Sequence, residues 1–269
     1  MKKTHQKTND LGEGKLYAED EPRFYTKSQL QEAGYKNPRH EEVPSVTTII
    51  SAKRKGIGFD IWLGNQKSYR AAARYRDYRG QIGLAVHKSI AELLLKGRTR
   101  ATKGGKMFLW NFKTFAKQYQ IEADQVEKII YNAERGYAGT KDFRGWVTPP
   151  GEKRIKVIID WKTTKHKQNL THKPQAAAYW EAERAGIKEV WIVYLKRQKK
   201  FTKGQITRVS IAEAKYDFDC GFMPCVGCWK YDHPNRIKVR RTERGGRLTH
   251  ISSIMRKAPV KKPRKGKKK

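Results

Sequence analysis

The sequence predicts an α/β fold, a mixed central sheet flanked by helices, and three observations carry that prediction. Leu84, Val86, Ile90, Leu93 and Leu94 recur at helical spacing over residues 81–96. Over residues 154–162 the period changes: the segment Arg154-Ile155-Lys156-Val157-Ile158-Ile159-Asp160-Trp161-Lys162 alternates and then turns continuously apolar, as a strand central to a sheet does. The order that follows, a helix over 173–185 stopped by Gly186 and then a buried strand over 190–195, places helices between strands.

Along the chain, residues 1–40 are polar and irregular, with only Tyr17, Phe24 and Tyr25 to pack, so an arm is expected over 1–43. At Pro44 the texture changes, and Ser45 followed by Val46-Thr47-Thr48-Ile49-Ile50 reads as a capped helix start. The helix over 81–96 carries His87 and has Gly97 as its stop. A second helix over 107–119 places Phe108, Phe112 and Phe115 in one core stripe. A short helix is expected over 123–127, then a strand over 129–131 and another over 137–147. Pro149-Pro150-Gly151 is a turn signal before the strand over 154–162. A further strand over 205–211 and a helix over 224–231, with Pro224 in its first turn, complete a domain over 44–235. Beyond it, 236–269 reads as a basic tail, and its last residues, 256–269, contain Lys, Arg, Pro and Gly with no acid.

Composition narrows the function classes. Sixty Lys plus Arg against 26 Asp plus Glu give a formal charge of +34, a self-repulsion that a polyanionic partner relieves, and nucleic acid is the expected one. Aromatics at 11% supply enough packing for an ordinary core. No long apolar run and no apolar segment near the start point to a membrane or an export signal, so a cytoplasmic protein is expected. Cys220, Cys225 and Cys228 are an odd set near one end and do not form a disulfide framework.

The chemistry concentrates in the strand region. Asp160 and Lys162 are two apart in a strand and therefore project to the same face. Asp142, on the neighbouring strand, can meet Asp160 across the pair. Two close carboxylates in a basic protein make a hard oxygen site suited to Mg²⁺ or Mn²⁺, and such an ion suits phosphodiester cleavage. Lys162 can orient the attacking water and offset phosphate charge. The Asp-Trp-Lys triplet alone has many chance matches.

The wider series is more specific: Gly83-Leu84-Ala85-Val86-His87, Glu127, Gly139-Thr140-Lys141-Asp142, Asp160-Trp161-Lys162-Thr163-Thr164 and Gln175-Ala176-Ala177-Ala178-Tyr179. This series resembles the PD-(D/E)XK nuclease superfamily, in particular the RecB-like branch that includes phage exonucleases and the mitochondrial genome maintenance exonuclease. The resemblance covers residues 44–196 and implies a restriction-endonuclease-like core. It implies that Asp142 and Asp160 ligate a divalent cation, that Lys162 positions the nucleophilic water, and that His87 is a further metal ligand. Glu127 matches an acid of the ligand network; read without the resemblance, it is an exposed acid ending a charged helix, and His87 is a satisfied core histidine. Gln175 and Tyr179 share a helix face that in the family borders the site; core-edge packing fits them equally.

Some RecB-like nucleases hold an iron–sulfur cluster on four cysteines. Here three trail the motifs and none precedes them, so thiols rather than a cluster are expected. Trp161 and Trp180 flank the motifs and fit either base stacking or the core. The expected function is a metal-dependent DNA exonuclease of phage or mobile-element origin, with a non-catalytic DNA- or RNA-binding protein of the same fold as its rival.

Overall fold

The chain joins the fold through two short antiparallel strands, β1 (Phe24–Thr26) and β2 (Glu42–Pro44), with helix α1 (Lys27–Glu32) between them. The structure is a computed structural model that describes residues 23–53, 57–102, 104–164, 169–184 and 186–233. Thr26 opens α1 with a capping box, its hydroxyl accepting the Gln29 N–H while the Gln29 side chain accepts the Thr26 N–H. Tyr25, Leu30 and Val43 are buried against Tyr131 and Ala138, and Tyr25 Oη lies 2.8 Å from Thr140 Oγ1. Residues 23–43, the described part of the arm expected over 1–43, lie against the sheet. A mostly polar segment needs only a few buried anchors to dock, and three apolar residues among many polar ones gave no periodic signal. Residues 1–22 and the tail over 236–269 lie outside the described residues.

Helix α2 (Val46–Ser51) starts where Ser45 accepts the Thr48 N–H, as the sequence predicts. It is followed by α3 (Ile57–Gly64), α4 (Tyr69–Lys96) and α5 (Lys106–Tyr119). Gly97 closes α4 at φ +68, a left-handed position that glycine adopts without a Cβ clash. The helix begins twelve residues before the expected 81, because Ser68 caps it and Ala71, Ala72 and Ala73 sustain helix without any apolar stripe.

Five strands form one sheet in the order β3 (Glu122–Asn132), β4 (Tyr137–Val147), β5 (Ile155–Lys162), β6 (Glu189–Tyr194) and β7 (Ile206–Ser210). All neighbouring pairs are antiparallel except β5–β6, which is parallel and connected by helix α6 (Asn169–Glu183). The sheet is mixed and flanked by helices, as expected. The short helix expected over 123–127 is absent: those residues belong to β3, which shifts register against β4 between Ala123 and Gln125 and continues through the strand expected at 129–131. On this edge strand polar residues are tolerated, and cross-strand ion pairs fix them, Arg144 Nη2 lying 2.8 Å from Asp124 and Arg154 meeting Glu122.

Alternation along β5 separates two cores. Val157, Ile159 and Trp161 face Phe108, Phe112 and Phe115 of α5, whereas Ile158 faces Ala176, Ala177 and Trp180 of α6. Trp161 and Trp180 are both buried and belong to these cores, which removes them as base-stacking surfaces. The chain continues through α7 (Ile211–Tyr216), a π-helical turn at Asp217–Phe222 and α8 (Met223–Asp232), which pack on the α6 side. Among the described residues, no helix is long and apolar enough to cross a membrane.

Candidate active site

The ladder between β4 and β5 stops at Phe143↔Ile159, although β4 runs on beside β3 and β5 beside β6. The next pair in that register would set Asp142 opposite Asp160. The strands part there instead, and the Asp142 carboxylate occupies the fork. Its Oδ2 accepts the backbone N–H of Trp161 at 2.7 Å, replacing the lost ladder bond, and its Oδ1 lies 3.1 Å from His87 Nδ1 on α4. The Trp161 ring holds that backbone in place, wedged among Phe112, Phe115 and Phe143.

Glu127 lies across from Asp142, between the pairs Val126↔Phe143 and Lys128↔Lys141. Its φ of +49 is left-handed, rare for a non-glycine residue inside a strand and costing on the order of 1 kcal/mol. Strain of this kind collects at functional sites, and here it falls on a carboxylate that joins a ligand group. Among the described residues, His87, Glu127 and Asp142 each offer one ligand atom, all within 4.8 Å of one another, and together they can hold a metal ion.

The electrostatics of this group follow from burial and proximity. Burial opposes the His87 cation, but the Asp142 charge and hydrogen bond outweigh it and carry the imidazole pKa up to about 9. Burial also works against ionised Asp142, yet His87, Lys162 and the Trp161 N–H together hold its carboxyl below the usual range. Glu127 is exposed as a whole residue, but local burial and then repulsion from Asp142 push its carboxyl up to about 7.

A second group adjoins the fork on the α6 side. Lys162 Nζ lies 2.7 Å from Asp160 Oδ2 and donates to Gln175 Oε1 at 2.9 Å. The contact with Asp160 is an ion pair without hydrogen-bond alignment, so this buried oxygen has no hydrogen-bond partner among the described residues. Burial, opposed by Lys162 and reinforced by Asp142, raises the Asp160 carboxyl to about 6. Gln175 Nε2 lies 3.4 Å from Asp160 Oδ1 and donates to Tyr179 Oη at 2.9 Å. Tyr179 is buried, and its ring fits because residue 139 is glycine: a Cβ there would stand 2.8 Å from Tyr179 Cε1.

The structure thus gathers all seven expected site residues around one fork. His87, Glu127 and Asp142 form the ligand group, and Lys162, Gln175 and Tyr179 form a hydrogen-bonded chain. Asp160 stands outside the three-residue ligand group and is engaged with Lys162 and Gln175.

Two further neighbours gave no sequence signal on their own. His172 Nδ1 lies 3.0 Å from Tyr194 Oη, and Tyr194 is the register partner of Lys162. Burial and the charge of Lys162 lower the His172 pKa to about 3, so this imidazole is neutral. Arg79 donates to the Thr163 carbonyl at 2.9 Å, tying α4 to the end of β5. The four-residue steps Arg79, Gly83 and His87 on one helix face are the signal that could have identified it.

Cys220 and Cys228 are exposed and Cys225 is buried; all three are free thiols. No family model matches the chain, and no curated protein matches it.

Proposed function

We propose that the protein is a divalent-cation-dependent nuclease with a PD-(D/E)XK core, which hydrolyses phosphodiester bonds in DNA as an exonuclease. The observation that carries this reading is a ligand-ready His87–Glu127–Asp142 group beside an ion-paired lysine, Lys162, on the adjoining strand. The donor set, one imidazole with carboxylates, suits Mn²⁺ or Mg²⁺. When bound, such an ion polarises a phosphate and lowers the pKa of a water.

The remaining chemistry belongs to the side chains. His87, Glu127 and Asp142 would hold the ion. The Lys162 ammonium orients the attacking water and offsets charge growing on the phosphate oxygens. Gln175 holds Lys162 from behind, and Tyr179 holds Gln175. The carboxylates repel a phosphate unless a cation intervenes, so the acids make sense as ligands rather than as a binding surface. A formal charge of +34 supports a polyanionic substrate.

The test is cleavage of end-labelled linear DNA, single-stranded and duplex, beside closed circular DNA, with Mg²⁺, Mn²⁺ or EDTA, by the wild type and by Lys162→Ala. Metal-dependent loss of linear but not circular DNA, abolished in the variant, is the expected result. Binding without cleavage under every condition would replace the nuclease with the non-catalytic reading.

A further inference from the structure

We infer that the first three turns of α4 form a stacking platform for single-stranded DNA; this rests on the nuclease reading. The helix has 28 residues and spans about 42 Å, but its two halves differ. From Ile82 onward it buries Ile82, Val86, Ser89, Ile90 and Ala91, whereas over 69–81 only Ala72 is buried. In place of core residues, the first half presents Tyr75, 53% exposed, and Tyr78, 56% exposed.

Charge interleaves with these rings. Arg70 and Arg74 are exposed, and Arg76 places its guanidinium 6.0 Å from the Phe59 ring of α3. Arg76 Nε is buried without a hydrogen-bond partner among the described residues. Alternating rings and guanidinium groups fit a single strand, in which phosphates and unpaired base faces are presented together. A duplex fits less well, because its base faces are stacked inside and the rings would meet only sugars and phosphates.

The platform and the site share one helix. Arg79, next to Tyr78, holds the Thr163 carbonyl at the end of β5, and His87 lies on the same helix about 18 Å from Tyr75 along the axis. Tyr75 is steadied by Trp62 at 6.2 Å between ring centroids, and Trp62 by Phe59 at 5.6 Å. The rings are therefore partly organised before any strand arrives, which lowers the ordering cost of stacking.

The experiment measures binding of the full chain, in EDTA, to fluorescent oligo-dT and to a duplex of equal length, so that no chemistry is required. Tyr75→Ala/Tyr78→Ala is expected to weaken oligo-dT binding by about ten-fold per ring while duplex binding changes less than two-fold. Tyr75→Phe/Tyr78→Phe, which keeps both rings, should bind as the wild type does. Arg70→Gln and Arg74→Gln should each lower the salt slope of oligo-dT binding by about 0.7. Because Tyr75 also packs on Trp62, Tyr78→Ala alone is measured as well, with quenching of 2-aminopurine in the strand as a direct readout of stacking. Unchanged oligo-dT affinity in both alanine variants, or an equal loss for duplex and single strand, overturns the platform. Cleavage by the same variants with metal is read separately: a protein that binds through these tyrosines but never cleaves keeps the platform and loses the nuclease.

Discussion

The Trp161 N–H donates to Asp142 Oδ2 at 2.7 Å, at the point where the β4–β5 ladder has ended. One carboxylate thus serves two purposes: it closes the backbone of the fork and presents its other oxygen to His87. Asp142→Ala removes both functions and leaves a buried N–H unpaired, which costs about 1–3 kcal/mol. Asp142→Asn keeps an oxygen for Trp161 but no charge for a cation. Thermal melting in EDTA at neutral pH should therefore rank the two, with the asparagine variant losing the ion pair to His87 and the alanine variant losing the Trp161 hydrogen bond as well. Metal titration should fail for both. An alanine variant that melts with the wild type would remove the structural half of this assignment.

Lys162 and Gln175 are expected to divide differently between binding and turnover. Removing the ammonium in Lys162→Ala removes charge stabilisation that grows in the transition state, so kcat should fall by about 10²-fold or more while KM changes little. Gln175→Ala leaves the lysine in place but unheld, and a loss of about ten-fold in kcat is expected from misplacement alone. Retention of the wild-type rate by Gln175→Ala would reduce that residue to core-edge packing.

Much of this site was legible before the structure. Asp160 and Lys162 fall on one face because side chains alternate along β5, and Gln175 and Tyr179 share a face through four-residue spacing. Gly97 and Gly186 mark their helix ends because glycine takes the positive φ found there. What was not legible depended on tertiary partners. Residues 122–127 lack strand periodicity, and only the ladder and the ion pairs with β4 and beyond make them extended. The left-handed φ at Glu127 has no sequence signature at all, and Arg79 became a neighbour of Thr163 only once α4 was placed.

Metal binding should release protons. A ligating imidazole must be neutral, but the metal-free His87 carries its proton up to about pH 9, and Glu127 stays partly protonated near pH 7. Affinity for Mn²⁺ should therefore rise with pH through the interval from about 7 to 9 and level off above it. Calorimetry at pH 8 in two buffers of different ionisation heat should give a release close to one proton per ion. Release of none would mean that the imidazole does not become a ligand.

The metal-free site also sets the sign of a stability change. His87 has a folded pKa of about 9 against 6.5, so its contact with Asp142 contributes fully below pH 6.5 and is lost as pH rises through 9. Glu127, at about 7 against 4.5, is a carboxyl whose charged form the fold disfavours, so it adds a penalty that is absent below pH 4.5 and complete above 7. Both act in one direction: in EDTA, the contribution of the site falls from pH 4.5 to pH 9. Glu127→Gln removes one of the two terms, so in EDTA the variant should melt above the wild type at pH 8 and level with it at pH 4. Saturating metal should reverse the order at pH 8, because only the wild type gains a ligand.

Lys141 provides the contrast between structure and chemistry next door to Asp142. It is buried completely, and its ammonium reaches Gln125 Oε1 at 2.5 Å and ion-pairs with Glu183, which also holds Arg144 at 3.2 Å. Alternation along β4 turns it away from the fork, so its neighbour's chemistry should not depend on it. Glu183→Gln leaves a buried ammonium without its counter-charge and should destabilise by about 3–5 kcal/mol. Lys141→Met replaces the buried ammonium with an apolar chain of similar length and should be far milder, because the desolvation cost disappears with the pair. In both variants, metal affinity and kcat of the folded fraction should match the wild type. A specific loss of metal binding in Lys141→Met at unchanged melting temperature would mean that the network behind β4 reaches into the site.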